Sequence, residues 1–160
     1  MIPEARRGNG GPFYFYLEVG TMTRREAREQ AFILVFEQAL RKEPMDEILH
    51  DAAEARDLIP SAFAEQEALG VEAHREEIDS TITENIRGWS LRRLSKVALA
   101  LLRLAVYEMR WEENIPVSVT INEAVELAKT YGGKDDASYV NGVLASIAKR
   151  VPEQKDKPHD

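Results

Sequence analysis

Cysteine is absent from all 160 residues. That removes disulfides, thiolate nucleophiles and cysteine-based metal sites together. It suits a reducing cytoplasm, the expected location. Histidine is scarce: His50, His74 and His159 stand apart from one another and from other ligand types, so no metal site is expected. No apolar run is long enough to span a bilayer, and no membrane association is expected. No strand-like alternation and no internal repeat occurs. Catalytic fingerprints are missing too: there is no G-x-S-x-G, H-E-x-x-H, P-loop or dinucleotide motif. Gly8-Asn9-Gly10-Gly11 follows no strand and opens no helix. Glu112-Glu113 and Asp135-Asp136 are adjacent carboxylates, which diverge on a helix and serve as solvated or capping groups. No catalytic residue and no cofactor is expected, and the chain is not expected to be an enzyme.

What remains is an ordinary globular balance, 44% hydrophobic and 31% charged, long enough for one domain with a sizeable core. The net charge of −7 argues against a generic polyanion binder, but it is unevenly spread. Residues 23–42 carry five Lys/Arg against three Asp/Glu, residues 43–90 three against thirteen, and residues 91–160 eleven against ten. A nucleic-acid surface must therefore be local, built from the start of the domain and its C-terminal half, with the acidic middle turned away or towards a basic partner.

Residues 1–22 differ from the rest, with a Gly/Pro-rich stretch followed by Phe13-Tyr14-Phe15-Tyr16. They are expected to be an N-terminal extension, disordered or upstream of a biological start at Met22; the rival reading has its aromatics docking on the domain. From Thr23 onward the pattern is helical. Thr23 and Glu26 form a capping box for a helix reaching about Lys42, ended by Pro44. A second helix covers about 45–58, with a break at Ile59-Pro60-Ser61. Residues 61–70 are left open, with Gly70 as punctuation. A third helix, about 71–87, carries Val71, Ile78, Ile82 and Ile86 on one face and stops at Gly88. Ser90 can cap a helix over 91–110, striped by Leu94, Val97, Leu101, Leu104 and Ala105. After the Asn114-Ile115-Pro116 turn, Thr120 and Glu123 suggest a second capping box. Gly132-Gly133 stops that helix, and Asp135 or Asp136 caps a last one, closed by Pro152. Residues 152–160 are expected to be a disordered tail, leaving 23–151 as the folded domain: all-α, with six or seven helices.

Two local constellations could bind a ligand. Arg24, Arg25 and Arg28 share one side of the first helix by their spacing of three and four. Guanidinium groups there pair with phosphates or stack on bases, and three contacts to single-stranded RNA give a salt slope of roughly −2. The bland alternative is that they balance Glu26 and Glu29 on a wet surface. The second constellation, Tyr131 to Tyr139, joins a glycine turn, a helix N-terminus and two tyrosines. Free N–H groups there can take a phosphate, and Tyr139 can stack on an unpaired base; alternatively both tyrosines are core-edge residues and the aspartate is only a cap. Arg103, inside the stripe ALALLRLAVYE, needs a buried partner, for which Glu108, Glu123 or Glu126 is expected. Asn122 and Asn141 are expected to be structural.

Three stretches together resemble the NusB family: RREAREQAFILVFE at 24–37, LRLAVYEM with the turn and IPVSVTINEAVELAKTYG at 102–132, and YVNGVLASIA at 139–148. The resemblance covers about 23–150. It implies two small helical subdomains and binding of boxA, a short single-stranded segment of nascent ribosomal RNA. It also implies partnership with the ribosomal protein NusE, and action with RNA polymerase and other Nus factors to suppress termination. A homodimer of the free protein fits the same picture. In family terms Arg24, Arg25, Arg28, Asp135 and Tyr139 match the RNA-facing positions, and the helix 91–110 the partner face. The chain departs from the family at Glu26 and Ser138, where a basic residue is common, and at Ala98 and Leu99, where a charged pair is common. These departures imply weak RNA affinity without NusE, whose basic surface would suit this chain's negative one. NusB-like domains also open some RNA cytosine methyltransferases, but that chemistry needs a catalytic cysteine. A structural protein that kept the NusE face and lost RNA binding is the other alternative.

Overall fold

The computed structural model describes residues 22–55 and 60–151. Among them are seven α-helices and no strand: α1 (Arg24–Arg41), α2 (Met45–Ala55), α3 (Ala62–Ala73), α4 (Arg75–Glu84), α5 (Lys96–Trp111), α6 (Val117–Tyr131) and α7 (Asp136–Ala148), with a 3-10 turn at Leu91–Arg93 before α5. The expectations for residues 1–21, 56–59 and 152–160 lie outside the described residues.

The capping box forms as the sequence suggests. The Thr23 hydroxyl accepts from the Glu26 N–H at 3.0 Å, and the Glu26 carboxylate accepts from the Thr23 N–H at 2.9 Å. At the far end of α1, Lys42 adopts a left-handed conformation with φ 58°, and Pro44 prevents the helix from resuming. Other boundaries differ. Residues 61–70 are helical, because the Ser61 hydroxyl caps α3 at the Ala64 N–H. The helix expected over 71–87 is two helices meeting at His74, whose φ −110°, ψ 22° breaks the spiral. The imidazole stacks on Trp111 at 3.9 Å between ring centres, so the chain changes direction over the end of α5. Gly70 is not punctuation; it lies inside α3, where a Cβ would run into the Tyr107 ring. Ser95, not Ser90, caps α5, accepting from the Ala98 N–H at 3.0 Å. α6 starts at Val117 behind Pro116 rather than at a Thr120 box.

The helices form two groups: α1–α3 pack on one another, as do α5–α7, and α4 leans on α5. Helix α5 also packs against α1 and α3, and from Ala98 to Met109 every residue but Arg103 is buried. One apolar core therefore runs through both groups, filled by Phe32, Met45, Ile48, Ile78, Ile82, Leu101, Leu102 and Leu144. Each such side chain contributes roughly 1.5–3 kcal/mol by leaving water. Arg103 forms a two-pronged pair with Asp79 of α4, both contacts at 2.9 Å, not with the glutamates expected from sequence. No helix among the described residues is long and apolar enough to cross a membrane, and no group of three metal-ligating side chains occurs among them.

Candidate functional site

The N-terminal turn of α1 lies between α3 and α6, and its three arginines have three different environments. Arg28 sits on the same row as Ala31, Phe32 and Val35, the stripe that α1 buries. Its guanidinium is buried and pairs with Glu108 of α5, Nε to Oε2 at 2.7 Å and Nη2 to Oε1 at 3.2 Å. The Thr120 hydroxyl of α6 donates to the same Glu108 carboxylate at 2.8 Å. Glu67 of α3 completes this buried cluster. No donor among the described residues faces its two oxygens, and in its protonated form it hydrogen-bonds the adjacent Glu108 carboxylate. Burial, and then the adjacent Glu108 carboxylate, push its carboxyl up to about 11, so Glu67 is neutral at pH 7. The cluster joins α1, α3, α5 and α6 through one net pair of charges. It is the polar seam between the two helical groups, and Arg28 belongs to it rather than to the surface.

Arg25 is exposed but not free. Glu123 of α6 grips it from below, Nε to Oε1 at 3.0 Å and Nη2 to Oε2 at 2.8 Å. That hydrogen bond holds the Glu123 carboxyl below its usual range. Arg24 is exposed, has no ion pair among the described residues, and lies over the ring of Phe63 with Cζ 4.0 Å from its centre.

The second constellation reaches α1 through Tyr131, which packs on Phe32 at 5.1 Å and donates its hydroxyl to Glu29. The structure thus brings the start of α1 and the end of α6 onto one surface. Beyond Tyr131, Gly132 and Gly133 turn the chain into α7. Asp136, not Asp135, does the local bonding: its carboxylate accepts from the Gly133 N–H at 2.9 Å and from the Ser95 hydroxyl at 3.2 Å. Asp135 occupies the N-cap position without a side-chain cap bond, so its exposed carboxylate can accept from a ligand. Tyr139 is half-buried against the core, and its hydroxyl is buried without a partner, which raises its pKa. It can offer part of its ring, not its hydroxyl.

The helix 91–110 offers little surface in its middle. Ala98 is buried and cannot meet a partner. The two ends of the helix are open: Arg110 is exposed at one, and at the other Leu91, Arg92, Leu94, Lys96 and Leu99 line a groove of ≈ 830 Å³ shared with Lys42 and Arg75.

Comparison with known proteins matches the NusB family over residues 25–149. The transcription antitermination protein NusB of Geobacillus kaustophilus is 43% identical over 126 residues, covering 79% of this chain and 95% of the relative. That of Acetivibrio thermocellus is 42% identical over 130 residues, covering 80% and 90%. Among solved structures, T. maritima NusB superposes with a TM-score of 0.74 at 36% identity, covering 84% of this chain and 96% of that one. A chain of the antitermination factors NusB and NusE in complex with double-stranded RNA superposes with a TM-score of 0.71 at 29% identity, covering 79% and 96%.

Proposed function

The chain belongs to the NusB family, and from that premise we propose that it is a transcription antitermination factor. In this reading it binds a boxA-type single strand of nascent ribosomal RNA together with NusE. The pair then acts with RNA polymerase and other Nus factors to suppress termination. The observation that carries the reading is that exposed Arg24 and Arg25 open α1, whose second turn meets the end of α6 through the Tyr131–Glu29 hydrogen bond and so leads to the α6–α7 turn with the exposed Asp135 carboxylate and the Tyr139 ring. Arginines meet phosphates, the carboxylate accepts from base amino groups, and the ring stacks on an unpaired base.

Affinity from this surface alone is low. Arg28 is spent in the core and Arg25 is half-neutralised by Glu123, in a chain of net charge −7. Two remaining phosphate contacts give a salt slope on the order of −1.4. NusE must supply the rest. Titrating a boxA-type strand against the protein with and without NusE tests this. Tight, sequence-dependent binding is expected only with NusE; binding indifferent to RNA sequence would overturn the reading.

A further inference from the structure

Phe63 lies in the first turn of α3, half-buried, and governs how Arg24 is held. The Arg24 Cζ is 4.0 Å from the ring centre, within cation–π range, and the buried Arg28 Cζ lies at 5.5 Å from the same centre. Glu123 engages Arg25 and Glu108 engages Arg28, whereas among the described residues no carboxylate pairs with Arg24. Among the described residues its charge is thus unspent, and the aromatic ring fixes the group without neutralising it. A guanidinium has two faces. Phe63 covers one, and Arg24 as a whole is exposed.

We propose that Phe63 and Arg24 form a stacking shelf for one unpaired nucleobase of the bound RNA. The proposal rests on the RNA-binding reading above and adds α3 to the RNA surface. The ring presets the guanidinium, so less side-chain entropy is lost when the base arrives. The guanidinium then offers its outer face to the base and its N–H edge to the adjoining phosphate. A base inside a duplex presents no free face, so the shelf selects single-stranded RNA. Phe63 is a positioning residue in this scheme, acting through Arg24.

The test uses the full chain, NusE and a boxA-type single strand in which each nucleotide in turn is made abasic. With the unaltered protein, one position beside the shelf should cost about tenfold in affinity when its base is removed, the size of one lost stack. In Phe63→Leu, which keeps apolar packing, the intact strand should bind about tenfold more weakly. That one abasic penalty should vanish while the others persist, and Phe63→Tyr should restore it. Thermal melting of Phe63→Leu checks folding separately. If Phe63→Leu changes nothing, or weakens intact and all abasic strands alike, the shelf is refuted. If the unaltered protein with NusE binds no RNA, the RNA reading fails and the shelf with it.

Discussion

Arg28 and Glu108 lie on the apolar stripes of their own helices, and neither can be removed alone. Arg28→Ala leaves the Glu108 carboxylate buried beside Glu67 without its guanidinium partner, and a severed buried pair costs about 3–5 kcal/mol. Urea unfolding of Arg28→Ala should show that loss, whereas Arg28→Met with Glu108→Leu should recover most of it. An Arg28→Ala protein as stable as the parent would contradict the seam. Glu67 carries a pH signature. Unfolded, its carboxyl ionises near 4.5; folded, it keeps its proton to about 11. The native state therefore holds the extra proton between those values, and stability falls as pH rises through that window, by up to about 1.4 kcal/mol per unit. Glu67→Gln should flatten the decline between pH 6 and pH 9; an unchanged slope would show that Glu67 is not held neutral. The Arg28 placement was legible. Arg28, Ala31, Phe32 and Val35 follow the i, i+3, i+4, i+7 row, as do Leu101, Leu104, Ala105 and Glu108. Opposite charges on two core stripes point to a buried pair. Counting the three arginines as one patch overlooked this, because spacings of three and four describe neighbours on a helix surface without saying which row faces the core.

The starts of α1, α3 and α5 each rest on one hydroxyl, and local sequence alone offers several candidates. Ser90 and Ser95 both precede the α5 pattern. The 3-10 turn between them places only Ser95 at the Ala98 N–H, and Ser90 makes no side-chain cap bond. Ser95→Ala should cost about 1 kcal/mol and Ser90→Ala almost nothing, read by thermal melting; equal effects would put the cap elsewhere. Thr120 shows the same competition. Its T-x-x-E spacing imitates a capping box, but the hydroxyl goes to Glu108 and Glu123 goes to Arg25, because tertiary charge outweighs a local cap. Gly70 illustrates what periodicity does not carry. Only packing reveals that α3 passes so close to Tyr107. Gly70→Ala must displace a ring wedged beside His74 and Trp111, at about 1–3 kcal/mol.

Across the whole molecule, the all-helical class, the α1, α6 and α7 patterns and the two helical groups follow from apolar spacing and family likeness. Long-range pairings such as Arg103–Asp79 and Arg25–Glu123 depend on which helices meet. The acidic excess of residues 43–90 and the local cationic points at Arg24 and in the Lys42–Lys96 groove divide the surface by charge. Arg24 and Arg25 stand at the opposite end of α1 from Lys42 in the groove, whereas the α6–α7 turn approaches the groove where Asp136 bonds Ser95 beside Lys96. Photocrosslinking of a 4-thiouridine boxA-type strand in the complex with NusE locates the RNA directly. Crosslinks at Arg24, Arg25 and within 134–139 are predicted; crosslinks confined to Lys42, Arg92 and Lys96 would contradict the account.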